Sequence, residues 1–148
     1  MDPASKFFDF ACKLLSKRDY FTEEIAQKIK EKGATAPETA EVIEKLNKYG
    51  YLDDNKVLEK YVAEIVAKGK GINYLKRKLY EKGCSELISS KNLADFYPFD
   101  EECAAAAKAL AKLHETETNK LVAKLVSRGF SVSAALRAAK NAGKQISD

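Results

Sequence analysis

Apolar residues return every three or four positions along almost the whole chain, and nowhere do they alternate with the period of two that a half-buried strand requires. The pattern predicts an all-helical protein. A first helix over roughly residues 4 to 17 carries Phe7, Ala11, Leu14 and Leu15 on one side and stops at Arg18-Asp19-Tyr20. Thr22 is placed to cap a second helix, with Glu23 and Glu24 in its first turn and Gly33 at its end. Thr35-Ala36-Pro37-Glu38 reads as a capping box with proline in the first turn. The third helix it opens carries Val42, Ile43, Leu46 and Tyr49 before Gly50.

The cycle then repeats. Asp53 and Asp54 stand where a cap belongs, Val57, Leu58, Tyr61 and Ile65 share a face, and Gly69 and Gly71 end the run. A helix from about Asn73 to Lys82 follows, then Gly83, then a short helix capped by Ser85 and carrying Leu87, Ile88 and Leu93. Phe96-Tyr97-Pro98-Phe99 resets the chain, since proline disfavours helix in the residue before it. Asp100, Glu101 and Glu102 open a seventh helix bearing Cys103, Ala107, Leu110 and Leu113. The eighth holds Leu121, Val122 and Leu125 and ends at Gly129. The ninth, capped by Ser131 or Ser133, holds Ala135, Leu136 and Ala139.

Three of these helices obey one formula. Ile25-Ala-Gln-Lys28-Ile29-Lys-Glu-Lys32-Gly33, Leu75-Lys-Arg-Lys78-Leu79-Tyr-Glu-Lys82-Gly83 and Leu121-Val-Ala-Lys124-Leu125-Val-Ser-Arg128-Gly129 each read aliphatic, two residues, Lys, aliphatic, two residues, Lys or Arg, Gly, at spacings of 50 and 46 residues. This is an internal repeat of a three-helix unit, over residues 1–53, 54–98 and 99–142 with a tail at 143–148. One such unit cannot bury its apolar faces alone, whereas a row can. The expected architecture is an elongated, curved rod whose concave side suits a long or repetitive target.

Composition narrows the chemistry. The chain has 148 residues, 45% hydrophobic and 32% charged, too apolar for a disordered tail and too charged for a membrane protein. No apolar run exceeds the five residues Cys103 to Ala107, and the opening Met1-Asp2-Pro3-Ala4-Ser5 has no basic region followed by an apolar one, so a cytoplasmic protein that touches no membrane is expected; a monomer is the expected state. Cys12, Cys84 and Cys103 are odd in number and far apart with one His, which fits neither a disulfide framework nor a zinc site; they read as reduced, mostly buried thiols. His114, the single imidazole, reads as a cation at a helix end. Lys68-Gly69-Lys70-Gly71 lacks the strand and the spacing of a phosphate loop. No acid, base or nucleophile constellation is signalled, so neither an enzyme nor a cofactor is expected.

Lysine and arginine give the clearer signal. The net charge of +4 is uneven: residues 1 to 53 hold 9 basic and 10 acidic side chains, residues 54 to 98 hold 9 and 6, and residues 99 to 148 hold 8 and 6. Between positions 68 and 82 lie Lys68, Lys70, Lys76, Arg77, Lys78 and Lys82, opposed only by Glu81 and interleaved with Tyr74 and Tyr80. At a hundred degrees per residue Ile72, Leu75 and Leu79 face a core, Lys78 and Lys82 border it, and Tyr74, Arg77 and Glu81 point away. Lys70, Lys76, Arg77, Lys78, Lys82, Lys124 and Arg128 are therefore the candidate contacts for an acidic protein surface or DNA phosphates.

The chain also resembles a known family. Leu14-Leu15-Ser-Lys17-Arg18-Asp19-Tyr20, Glu24-Ile25, Lys32-Gly33, Gly50-Tyr51-Leu52-Asp53-Asp54, Gly69-Lys70-Gly71, Leu79-Tyr-Glu-Lys82-Gly83 and Ser127-Arg128-Gly129-Phe130-Ser131 occur in the order and approximate spacing of the RecX family, over roughly residues 7 to 140. The resemblance implies a negative regulator of the RecA recombinase that lodges in the groove of the RecA filament on single-stranded DNA. It further implies restraint of ATP hydrolysis, strand exchange and co-protease activity, and so of the SOS response. Single- or double-stranded DNA is a second partner, and a stand-alone DNA-binding protein or repressor is the other reading. The family places an aromatic and then a small residue after its paired aspartates, where this chain has Val57-Leu58.

Overall fold

The computed structural model describes residues 3–91 and 93–146, and its regular structure is helical throughout, as the period predicts. In chain order the helices are α1 (Pro3–Lys17), α2 (Thr22–Glu31), α3 (Ala36–Lys48), α4 (Asp54–Ala67), α5 (Ile72–Glu81), α6 (Ser85–Ser90), α7 (Leu93–Phe96), α8 (Phe99–Leu110), α9 (Thr118–Ser127) and α10 (Val132–Ile146). Two compact units result: Met1–Glu59 with Lys82–Cys84, and Lys60–Glu81 with Ser85–Asp148.

In the first unit α1, α2 and α3 pack against one another. The formula of α2 buries Ile25 and Ile29, and α3 adds Val42 and Leu46. Phe7, Ala11, Tyr20 and Leu52 complete that core, with Leu14, Leu15 and Ile43 against its edge. Each fully buried Ile or Leu stabilises by about 1.5–3 kcal/mol. The expected capping box is present: Glu38 N–H donates to Thr35 Oγ1 at 3.2 Å and Thr35 N–H donates to Glu38 Oε1 at 2.9 Å.

In the second unit α5 buries Leu75 and Leu79, and α9 buries Leu121 and Leu125. The helices α8, α9 and α10 pack mutually around Ala105, Ala106, Ala109, Leu125, Phe130, Ala135 and Ala138. Alanine dominates because α8 and α10 meet side by side, and small side chains let two helices approach closely.

Several local expectations change. The third helix of the middle repeat divides into α6 and α7, giving ten helices rather than nine among the described residues; Ser89 and Ser90 are weak helix formers at the break. Thr22 is not the cap of α2. Phe21 holds that position, its N–H donating to Glu24 Oε1 at 2.9 Å, while Thr22 donates through both N–H and Oγ1 to Asp54 Oδ1 at 2.8 and 3.0 Å. Of the two aspartates Asp53 alone caps α4, accepting the Lys56 N–H at 3.2 Å. The face of α8 is turned from the one expected: Glu102, Ala105, Ala106 and Ala109 are buried, Ala107 is exposed, and Leu110 and Leu113 are half-buried. Tyr49 and Leu136 are exposed rather than in the core, whereas Val62 is buried. Cys84 is the one buried thiol among the three, Cys12 and Cys103 being partly exposed. His114 lies exposed in the loop after α8, which ends at Leu110. α10 runs on through residues 143 to 146, and 147 and 148 lie outside the described residues.

Candidate functional site

Two glycines organise the basic residues of the second unit. Gly71 does not end α4; it lets the turn before α5 cross the turn between α9 and α10 at backbone contact. Its N–H donates to the Arg128 carbonyl at 3.2 Å, and the Asn73 N–H donates to the Gly129 carbonyl at 2.8 Å. A Cβ on Gly71 would overlap the Phe130 backbone, and one on Gly129 would stand 2.5 Å from Tyr74 Cβ. Gly129 also has φ +90°, a conformation that disfavours any side chain. The crossing fixes Lys70 and Arg128, which precede the two glycines.

A buried carboxylate fastens the same crossing. Glu102, 2% exposed, accepts the Ile72 N–H at 3.1 Å and the Ser131 N–H at 2.9 Å on Oε2, and the Ser131 hydroxyl at 2.8 Å on Oε1. Ile72 begins α5 and Ser131 precedes α10, so one anion satisfies orphan donors at two helix starts, where the helix dipoles favour it. The Tyr97 hydroxyl donates to the Lys70 carbonyl at 2.8 Å. Burial, then the charges of Glu102 and Glu101, holds the Tyr97 phenol far above its ordinary pKa. Sequence reasoning placed Glu102 among three acidic residues opening a helix and missed this role. The role has a counterpart in the first unit, where Asp54 receives Thr22 from 32 positions away as Glu102 receives Ile72 from 30 positions away.

Of the seven candidate contacts, three gather on one ring. Lys70 Nζ, Arg77 Cζ and Lys78 Nζ stand 5.3, 5.3 and 5.4 Å from the centroid of Tyr74, each within cation–π range. Arg77 and Lys76 are exposed, while Lys70, Lys78 and Arg128 are partly so. Carboxylates engage three of the seven: Lys78 with Glu81 at 3.1 Å, Lys124 with Glu115 at 3.8 Å, and Lys82 with Glu24 at 3.5 Å. Lys82 belongs to the first unit, where Glu24 also pairs with Arg18 at 3.4 Å. Among the described residues no carboxylate pairs with Lys70, Lys76, Arg77 or Arg128, leaving these four the most available to an outside anion.

The remaining reactive groups do not assemble. Burial first, then Glu24, Asp54 and Glu23, pushes the Cys84 thiol up to about 12, which suppresses the nucleophilic thiolate. The described residues contain no group of three or more His, Cys, Asp or Glu that could hold a metal ion. They contain no helix long and apolar enough to cross a membrane.

The fold and its cation-rich surface define the class: an all-helical protein built from three-helix groups. The family model of the RecX first three-helix domain matches residues 8–46. The chain is 34% identical over 136 residues to the regulatory protein RecX of Pelodictyon phaeoclathratiforme, covering 86% of this chain and 85% of that protein. It is 32% identical over 143 residues to the regulatory protein RecX of Leuconostoc citreum, covering 90% of this chain but 53% of that protein, so it spans about half the length of that relative. The crystal structure of RecX from Lactobacillus salivarius shares the fold, with a TM-score of 0.81 at 21% identity over 95% of this chain and 96% of that one. The chain belongs to the RecX family of regulatory proteins.

Proposed function

We propose that this protein is a non-catalytic negative regulator of the RecA recombinase that binds in the groove of the RecA filament on single-stranded DNA and restrains its ATP hydrolysis, strand exchange and co-protease activity. It acts in the cytoplasm as a monomer and without a cofactor, through three helical repeats at 1–53, 54–98 and from 99 onward. The observation that carries the reading is the gathering of Lys70, Arg77 and Lys78 on Tyr74, next to the backbone crossing that holds Arg128. Cations held in fixed positions present a preformed pattern to acidic recombinase surface or DNA phosphate, and electrostatic complementarity of this kind sets specificity and association rate. Lys76, Lys82 and Lys124 are the outer contacts of the same proposal.

The second reading, a stand-alone helical DNA-binding protein or repressor, draws on the tyrosine among those cations, the pairing of residue types that holds single strands. One measurement separates the two. RecA ATP hydrolysis on single-stranded DNA is followed with and without the protein, at a salt concentration where the protein no longer binds naked DNA. The first reading expects suppression at equimolar or lower protein. Undiminished hydrolysis rejects it, and tight, steeply salt-dependent binding to DNA alone supports the second.

A further inference from the structure

We infer that the second unit carries another binding site, a cleft between α4 and α8 that takes an acidic peptide segment bearing an aliphatic side chain among its carboxylates. The cleft has a volume of about 420 Å³, within the range of ligand-binding hollows. Lys68, Lys108, Lys112 and Arg128 line it against the single carboxylate Glu101. Helix ends account for part of this charge, since Lys68 follows α4, Lys112 follows α8 and Arg128 caps α9. They do not account for the convergence. Among the described residues none of the four forms an ion pair, although like charges gathered in one hollow repel one another. An anionic occupant relieves that repulsion.

The rest of the lining decides which anion. Val66, Ala105 and Ala109 give the cleft an aliphatic lining, and no aromatic ring contributes to it. Single-stranded nucleic acid is held by stacking its bases on rings, which the cleft does not offer. A lone phosphate would leave the apolar lining wet. A leucine or isoleucine flanked by aspartates and glutamates uses both parts, its side chain against Val66 and the alanines and its carboxylates on the lysines. Arg128 is shared with the proposed recombinase surface, whereas Lys108 and Lys112 are not among its contacts, and the inference does not depend on the identity of the recombinase.

The test uses the full chain and a fluorescein-labelled peptide of Asp and Glu with one central leucine, read by anisotropy at physiological salt. Lys108→Glu/Lys112→Glu is expected to weaken binding by about tenfold or more. Both side chains are exposed, so the melting temperature should hold; Lys108→Gln/Lys112→Gln, which removes charge without reversing it, should weaken binding in the same direction. Replacing the peptide's leucine with serine should cost about tenfold, the value of burying one aliphatic side chain. Arg77→Glu/Lys78→Glu should leave peptide affinity unchanged, so that loss of recombinase inhibition and loss of peptide binding are read separately. The inference is overturned by absence of binding, by equal binding of the leucine and serine peptides, by indifference to the lysine variants, or by an oligothymidylate displacing the peptide as readily as unlabelled peptide does.

Discussion

Glu102 brings a charge among alanines, and it is tolerable there only because three donors meet it at 2.8 to 3.1 Å. Removing the carboxylate strands the Ile72 and Ser131 amides, and a buried unsatisfied donor costs about 1–3 kcal/mol. Glu102→Ala should therefore lower the urea midpoint by an amount equivalent to about 3 kcal/mol or more, while Glu102→Gln, which keeps one acceptor oxygen, should lose less. Chemical denaturation of the three proteins checks the order. Cys84 makes a second residue-scale prediction. Its folded pKa is raised from the ordinary 9.0 to about 12, so the unfolded chain loses this proton first as pH rises. The contribution to stability is complete below pH 9 and declines from there toward 12. Unfolding curves at pH 8 and pH 10 should show a loss in the native protein that Cys84→Ala does not share. Nothing in the sequence marks Glu102 or Cys84 out, because what singles each out is a set of neighbours thirty to sixty positions away.

At the level of elements, the repeat formula was the most legible part of the chain. Its two aliphatic positions are the buried pair of α2, α5 and α9 alike. The pair stands at i and i+4 with lysine or arginine at fixed places around it, so the period leaves one face to choose. The same reasoning turned α8 the wrong way, because the run Cys103 to Ala107 is apolar on every side and alanine fits a core or a surface equally well. The face is set instead by Glu102, and a carboxylate is the residue least expected to face inward. The crossing of Gly71 and Gly129 was half legible: both glycines are visible in the sequence, but a terminator and a close approach look alike there. Gly129→Ala should destabilise by about 1–3 kcal/mol through its positive φ alone, with the overlap on Tyr74 added. Gly71→Ala should also destabilise, through the Phe130 backbone, and should shift the ring of Tyr74 from the three cations as the turn moves. Thermal melts read the first effect and tyrosine ring resonances the second.

For the molecule as a whole, composition and charge distribution pointed to a cluster of cations, most of them in the second unit, but could not rank them. Density along the chain treats Lys82 and Arg77 alike, whereas the fold pairs Lys82 with Glu24 and leaves Arg77 exposed over Tyr74. Ranking requires knowing which carboxylates fold back, and that is long-range information. If the chain restrains RecA as proposed, Arg77→Glu/Lys78→Glu should weaken that restraint at least tenfold in an ATPase titration, because reversing two charges opposes an acidic target as well as removing attraction. Helical content and melting temperature should change little, since neither side chain is in the core. Inhibition that survives the double reversal would reduce this cluster to ordinary solvated surface.

The shared carboxylate at the starts of α5 and α10 has one more implication. A latch with a single bolt holds two doors: withdrawing Glu102 strips the α5 end and the α10 end of the same acceptor oxygen at once. Displacement of that one side chain is therefore felt at both turns, and Lys70 and Arg128, standing on the two leaves, lose their alignment together.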